Sequence, residues 1–354
     1  MHMTKRIILW SAVAVALAGC SASDEEQPTV QPSKATPITV EAMMDGATRA
    51  VSTTTTTFTQ FQMWGFQGTG SLINGGAAFT KDATTSKWSG SSTFFWEDGK
   101  NYQFFGISPY ASVTDASITA TAQSFGYAVP TDNAAQKDIL VSSLLAQQKT
   151  ADGTLSLPFK HALSMVTFKA NTATDLVFEI HSLTLCNIKS GGTFTFSTTT
   201  DGAGTWADNT DTTPTNYAVT LASDVTVTKG TSATVLTDKD GSQVIILRPQ
   251  VLTAWNAAST VTSQAGSYIA MECKIHTTGG VYYGSSNSTT YATVYLPLGL
   301  TMAMHKRYNL TLNLDGIRKA DGTAVLSGVV VEPSLTATVR AWDNSEGNNS
   351  TITF

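Results

Sequence analysis

The chain reads as an all-β protein built of sandwiches with little helix, and three observations carry that reading. Threonine, serine, valine and aromatic residues dominate it in short alternating runs broken by Gly, Asn and Asp, a composition suited to pleated, half-buried surfaces. The run Tyr308-Asn309-Leu310-Thr311-Leu312-Asn313-Leu314 stops at Asp315-Gly316, and its alternation puts Tyr308, Leu310, Leu312 and Leu314 on one apolar face. Helical periodicity is almost absent: only residues 136–147, with Leu140, Leu144 and Leu145 on one side, predict a short helix. A strand with one apolar face needs a second layer to cover it, so sandwiches are expected rather than a lone sheet.

From the N-terminus, Lys5 and Arg6 precede an apolar run over residues 7–17 that ends in Leu17-Ala18-Gly19-Cys20. The run is too short to span a bilayer as a helix, and small residues before a lone cysteine suit a peptidase that cuts at a lipidated thiol. Residues 1–19 are therefore predicted to be a lipoprotein signal peptide, with Cys20 the lipidated first residue. Residues 21–34, including Asp24-Glu25-Glu26 and two prolines, carry too little apolar content to fold and read as a tether.

Ile38, Val40, Ala42 and Met44 next alternate with Thr39, Glu41 and Met43, a strand pattern with one apolar face. Arg49, the sole basic residue between Lys34 and Lys81, follows in Gly46-Ala47-Thr48-Arg49-Ala50-Val51, ahead of Ser52 and five threonines. It is an isolated trypsin-like cleavage site in an accessible segment, with Ala50 the new N-terminus. A cut there would release residues 20–49, a tether plus a removable first strand, and the vacated edge would accept an extended strand from another molecule. Leu335, Ala337 and Val339, with Ile352 and Phe354 at the chain end, are the candidate donor. Head-to-tail exchange does not close on itself and makes a filament. On these residues alone, an ordinary linker and first strand with a surface arginine accounts for the pattern equally well.

Further strands are predicted at 58–66, 102–107, 162–170, 176–185, 217–221, 243–247, 268–276, 291–298 and 335–339. A boundary near Ala151-Asp152-Gly153 divides the rest into an N-terminal sandwich domain, 50–153, and a larger C-terminal one, 154–354. At 354 residues the chain is long enough for both to bury a core.

The chemistry-bearing motifs are mostly absent. Only 13% of residues are charged and the net charge is −5, without the clustered Lys and Arg that nucleic acid requires. Gly-x-Ser-x-Gly, Walker, dinucleotide-binding, His-Glu-x-x-His and Cys-x-x-Cys motifs do not occur, so no enzyme activity and no catalytic residue is expected. His161, His181, His276 and His305 lack ligand spacing, and neither metal nor cofactor is expected. His276 falls on a polar strand face with Glu272 and Lys274, while His161 is expected half-buried against a backbone partner. Asp238-Lys239-Asp240-Gly241 reads as a turn. Cys273 shares an apolar alternation with Ile269, Met271 and Ile275, so a small buried hydrophobe is its expected role. Tryptophans 64, 88, 96, 206, 255 and 342 read as core or domain-interface residues, with a carbohydrate platform the less favoured alternative.

Phe94-Phe95-Trp96-Glu97-Asp98-Gly99, then Tyr102-Gln103-Phe104-Phe105-Gly106, and above all Leu157-Pro158-Phe159-Lys160-His161-Ala162-Leu163-Ser164-Met165-Val166, together with the leader and Arg49, resemble the fimbrillin family over nearly the whole chain. The resemblance implies two transthyretin-like, Greek-key β-sandwich domains and passage through the lipoprotein export machinery. It further implies trimming by an Arg-specific protease and assembly with other fimbrial subunits by strand exchange, on the outer membrane and in the fimbrium. Carried over, Cys20 is the lipidation site and Arg49 the residue before the cut. Asp24, Glu25 and Glu26 resemble the acidic stretch that directs such lipoproteins to the cell surface. The family includes stalk, anchor and tip subunits. A hairpin turn at Trp342-Asp343-Asn344-Ser345-Glu346-Gly347 returning the C-terminus onto its own domain would favour a tip or accessory subunit. The expected function is thus a structural fimbrial subunit supporting adhesion to a host or bacterial surface ligand. The alternative is a monomeric surface lipoprotein that binds a glycan or host protein.

Overall fold

The structure, a computed structural model, describes residues 35–44, 58–199, 204–208, 214–230, 232–237, 244–261, 266–283, 289–326, 333–341 and 350–353. Chain contacts separate Met1–Ala35, of which only Ala35 is described, from Thr36–Phe354, which carries every described sheet.

The all-β expectation holds, and among the described residues the helical turns are short 3-10 turns only. The first strands are β1 (Thr36–Pro37), β2 (Thr39–Met44), β3 (Gln60–Gln67), β4 (Gly70–Lys81), β5 (Trp88–Gly90), β6 (Phe95–Trp96) and β7 (Tyr102–Ser108). After them come β8 (Thr114–Ile118), β9 (Gln123–Ala128), β10 (Leu140–Gln147), β11 (Thr154–His161), β12 (Ser164–Asn171), β13 (Leu176–Lys189), β14 (Gly191–Thr195) and β15 (Thr205–Ala207). The chain continues through β16 (Pro214–Val227), β17 (Thr234–Val235), β18 (Ile245–Leu247), β19 (Val251–Leu252), β20 (Tyr268–Thr277) and β21 (Tyr282–Tyr283). It closes with β22 (Ala292–Pro297), β23 (Leu300–Thr301), β24 (Lys306–Asn313), β25 (Leu335–Ala341) and β26 (Ser350–Thr353).

A seven-stranded sheet runs β2-β11-β10-β7-β3-β4-β5, and its central strands explain a sequence without clean alternation. Phe61 and Met63 of β3, Tyr102 and Phe104 of β7, and Leu140 and Leu144 of β10 point into one core. Trp64, Phe66, Phe105 and Ile107 of β3 and β7, with Val141 of β10, point into a second. A sheet covered on both faces has consecutive apolar residues rather than alternating ones. Gly106 shows how tightly the first core is filled, since a Cβ there would lie 2.6 Å from the Phe159 ring.

The second core is shared with a four-stranded sheet, β15-β14-β9-β8, through Phe125 of β9 and Phe194 of β14, and Phe196, just past β14, packs against Phe105 at 5.3 Å between ring centroids. It extends between a six-stranded sheet, β17-β12-β24-β25-β26 with β18 on β12, and a five-stranded sheet, β16-β13-β20-β21 with β22 on β20. Here the one-faced patterns read from the sequence are found: Tyr308, Leu310 and Leu312 of β24 are buried, as are Ile269, Met271, Cys273 and Ile275 of β20.

The helix predicted over 136–147 is not formed, and Leu140–Gln147 is β10, between β7 and β11. Leu140 and Leu144 do share a face, because a spacing of four returns to the same side of a strand as well as of a helix. Ser142 and Ser143 between them are buried too, on a strand covered from both sides. The boundary expected at 153/154 lies in the turn between β10 and β11, antiparallel neighbours in one sheet. Strand β9, before that turn, pairs with β14, after it.

Candidate functional site

Strand β2 has the face its sequence predicts. Val40 and Met44 are buried, Ile38 and Ala42 pack against the same core, and Thr39 and Glu41 face outward with Met43. Burying side chains of this size contributes on the order of 1.5–3 kcal/mol each. The strand lies at the edge of the seven-stranded sheet, parallel to β11, with Val40 opposite Leu155, Ala42 opposite Leu157 and Met44 opposite Phe159. Parallel pairing is slightly less stable per residue than antiparallel pairing, and only one neighbour supplies a ladder here.

Four side contacts hold the segment in place. β1 pairs with β6, placing Thr36 opposite Trp96. Ile38 N donates to the Phe94 carbonyl at 2.8 Å, and Thr39 N to the Gly153 carbonyl at 3.0 Å. That same carbonyl accepts from Trp96 Nε1 at 2.8 Å. Gly153 has φ +78°, and a Cβ would lie 2.5 Å from the Pro37 carbonyl oxygen, so the turn and the strand it receives both require glycine. On the far side, Trp88 Nε1 of β5 donates to the Ala42 carbonyl at 3.1 Å, so the two edge strands of the sheet meet through one indole.

Beneath β2 lies an aromatic floor. Phe159 packs against Phe58 at 4.9 Å and Phe61 at 5.0 Å, and Phe58 packs against Trp88 at 5.0 Å. Taking away β1 and β2 would uncover this floor, Leu155 and Leu157, and the outer hydrogen-bonding edge of β11. Such an edge is a template for another strand.

The expected donor residues sit elsewhere, in the six-stranded sheet. Leu335 and Ala337 of β25 are buried and Val339 is half-buried, opposite Leu312, Leu310 and Tyr308 of β24. Ile352 belongs to β26, which pairs antiparallel with β25 and places Ile352 opposite Ala337. β25 is therefore an interior strand and β26 the edge strand beside it. Cys20, Arg49, Ala50, Phe354 and the expected turns at 238–241 and 342–347 lie outside the described residues.

His161 departs from expectation. It is buried rather than half-buried, and its Nδ1 lies 2.7 Å from Oδ2 of the equally buried Asp138, a side-chain partner 23 residues upstream. The residues after it tie the sheets together. The Ala162 carbonyl accepts from Trp206 Nε1 at 2.7 Å, the Leu163 carbonyl from His305 N at 3.0 Å, and Ser164 Oγ donates to the Ala303 carbonyl at 3.2 Å. The distinctive Phe-x-His-Ala-Leu-Ser block thus marks the joint where β11 gives way to β12. His276 lies on the expected face, its Nε2 3.4 Å from Glu179 Oε1. Cys186 and Cys273 are both buried free thiols, and burial pushes Cys273 up to about 12. Among the described residues, no group of three or more His, Cys, Asp or Glu side chains is placed to hold a metal ion.

The model of the fimbrillin-like family matches residues 48–342. The chain belongs to the fimbrillin-like family. No curated protein matches this fimbrillin-like chain. In fold it is similar to a candidate cell adhesion protein of Parabacteroides distasonis, 10% identical over 87% of this chain and 97% of that one, with a TM-score of 0.50. A candidate cell adhesion protein of Bacteroides uniformis is 17% identical over 86% and 99% of the two chains, with a TM-score of 0.44. The fimbrial anchor protein Mfa2 of Porphyromonas gingivalis is 10% identical over 87% and 98%, with a TM-score of 0.41.

Proposed function

We propose that this fimbrillin-like chain is a structural subunit of a cell-surface fimbrium, of tip or accessory type, that supports adhesion and performs no covalent chemistry. In this reading it is exported as an outer-membrane lipoprotein on Cys20 and cut after Arg49 by an Arg-specific protease, so the mature chain starts at Ala50. The groove that β2 vacates receives an extended strand from a neighbouring subunit, which pairs with β11 and buries alternate side chains on the aromatic floor.

The observation that carries the reading is β2 itself: an edge strand with a single ladder, filling an apolar groove, within a dozen residues upstream of an isolated arginine. The family match starts at residue 48, so β1 and β2 lie outside the matched span. The tip or accessory assignment rests on β26, which occupies the edge beside β25 and makes the C-terminus a poor strand donor.

The test is the intact mass of the protein taken from its native cell surface, with and without Arg49→Ala. A mass that starts at Ala50 in the parent and reverts to a lipidated Cys20 form in the variant is the expected outcome. A lipidated, uncut protein in both samples sinks strand exchange for this chain and leaves an anchor subunit or a monomeric binding lipoprotein.

A further inference from the structure

We propose that the cavity beside Arg248 binds a carboxylate-bearing saccharide, independently of whether the chain enters a fimbrium. The cavity is about 640 Å³ in volume, within the range of small-molecule sites, and lies where the end of β13, the β15 strand and the β18–β19 connection come together.

Its charges do not balance. Arg248 is 2% exposed, with Nη2 2.5 Å from Asp208 Oδ1, Nη1 3.3 Å from the Pro249 carbonyl, and an Nε that makes no hydrogen bond. Lys189 Nζ pairs with the other oxygen of the same carboxylate, Asp208 Oδ2. Among the described residues, two cations thus share one half-exposed anion, and the described lining carries an excess of one positive charge. The Nε of Arg248 is enclosed beside Gly192, but Nη1 and Nη2 each carry a second N–H beyond these contacts; a buried guanidinium is costly unless an anion engages such donors, and its planar fork suits a carboxylate.

The placement is built rather than incidental. Gln250 accepts from Lys189 N at 3.0 Å and donates to the carbonyls of Lys189 at 2.9 Å and Arg248 at 3.0 Å, clamping the two cationic residues side by side. Trp206 forms an adjoining wall. Its indole is fixed by the Ala162 carbonyl and by edge contacts with Phe125 and Phe194, and Met302 and Met304 continue the apolar lining. A cationic pair next to an aromatic and apolar wall fits a sugar ring carrying a carboxylate: the ring's apolar face lies on the wall and its charge on Arg248 and Lys189.

The experiment is calorimetric titration of the purified protein with glucuronate, and with glucose as the neutral counterpart. Glucuronate is expected to bind and glucose not. Lys189→Gln weakens glucuronate binding by about tenfold, the loss of one charge-assisted hydrogen bond. Asp208→Asn tightens it, because the internal carboxylate no longer competes. Both positions are half-exposed, so the variants are expected to stay folded; Asp208→Asn melts lower because Arg248 loses its charged partner, and a circular-dichroism spectrum matching the parent at the titration temperature verifies that both are folded. Absent glucuronate binding, equal binding of glucose, or affinities unmoved by both substitutions overturns the proposal. The readout is separate from processing at Arg49, so the fimbrial reading stands or falls on its own measurement.

Discussion

Asp138 and His161 show how much one buried side-chain pair is asked to do. Both side chains are 3% exposed and lie at the joint between the seven-stranded and six-stranded sheets. Removing one partner of a buried pair leaves the other uncompensated, so His161→Gln or Asp138→Asn is expected to cost about 3 kcal/mol or more in urea unfolding, and the double variant less than the sum. No spacing rule announces this pair, because the two residues are neighbours only once β10 and β11 are side by side. Cys273 was legible from its alternation with Ile269 and Met271. Its buried thiol, raised to about 12, is expected to resist alkylation at pH 8 in the folded protein and to react at once in denaturant. Asp208 sets a pH dependence whose sign follows from its neighbours. Lys189 first, against the counteracting effect of burial, and Arg248 with it hold the carboxyl below its ordinary value of 3.8. Its stabilisation is complete above 3.8 and is lost as pH falls through the lower folded value. Asp208→Asn should therefore flatten the acid limb of the stability profile below that point, as read by urea midpoints across pH.

At the scale of elements, the strands most legible in the sequence are those with one wet face, such as β20, β24 and β2, since alternation survives only where water covers one side. β10 defeated the pattern because both its faces are covered, and β4 because its glycines at 70, 75 and 76 interrupt the run. The close fit between neighbouring strands gives a direct test. Gly106→Ala drives a methyl group into the Phe159 ring and is expected to destabilise by about 1–3 kcal/mol. The hold of β5 on β2 gives another. Trp88→Phe removes the donor to the Ala42 carbonyl, so amides of Thr39–Met44 should exchange faster with solvent deuterium while those of β3 and β7 do not change. The edge strand β2 was readable from residues 38–44 alone. Its partner β11 and the tryptophans that clamp it were not, because they come from two other parts of the chain, residues 154–161 and 88–96, far from it in sequence. The Arg248 cavity was hidden for the same reason, with its charges at 189, 208 and 248.

For the whole molecule, the two cores are joined through shared strands, β3, β7 and β10, each of which buries one face in either core. Damage to one core should reach the other. Phe61→Ala, in the first core, is expected to cost about 3–5 kcal/mol and to lower the denaturant concentration at which Cys273, in the second, becomes open to alkylation. Labelling of Cys273 that keeps its parental midpoint would mean the cores unfold separately. The parallel pairing of β12 with β24 bears on mechanical load. Eight consecutive residues of each run side by side in the same direction, Ser164 opposite Lys306 through Asn171 opposite Asn313. A pull that draws the start of β12 one way and the end of β24 the other loads this ladder in shear, so its hydrogen bonds must fail together rather than peel open in turn. In a protein attached at one end and tugged at the other, as any surface molecule in flowing liquid is, load carried across this ladder would meet eight paired residues at once.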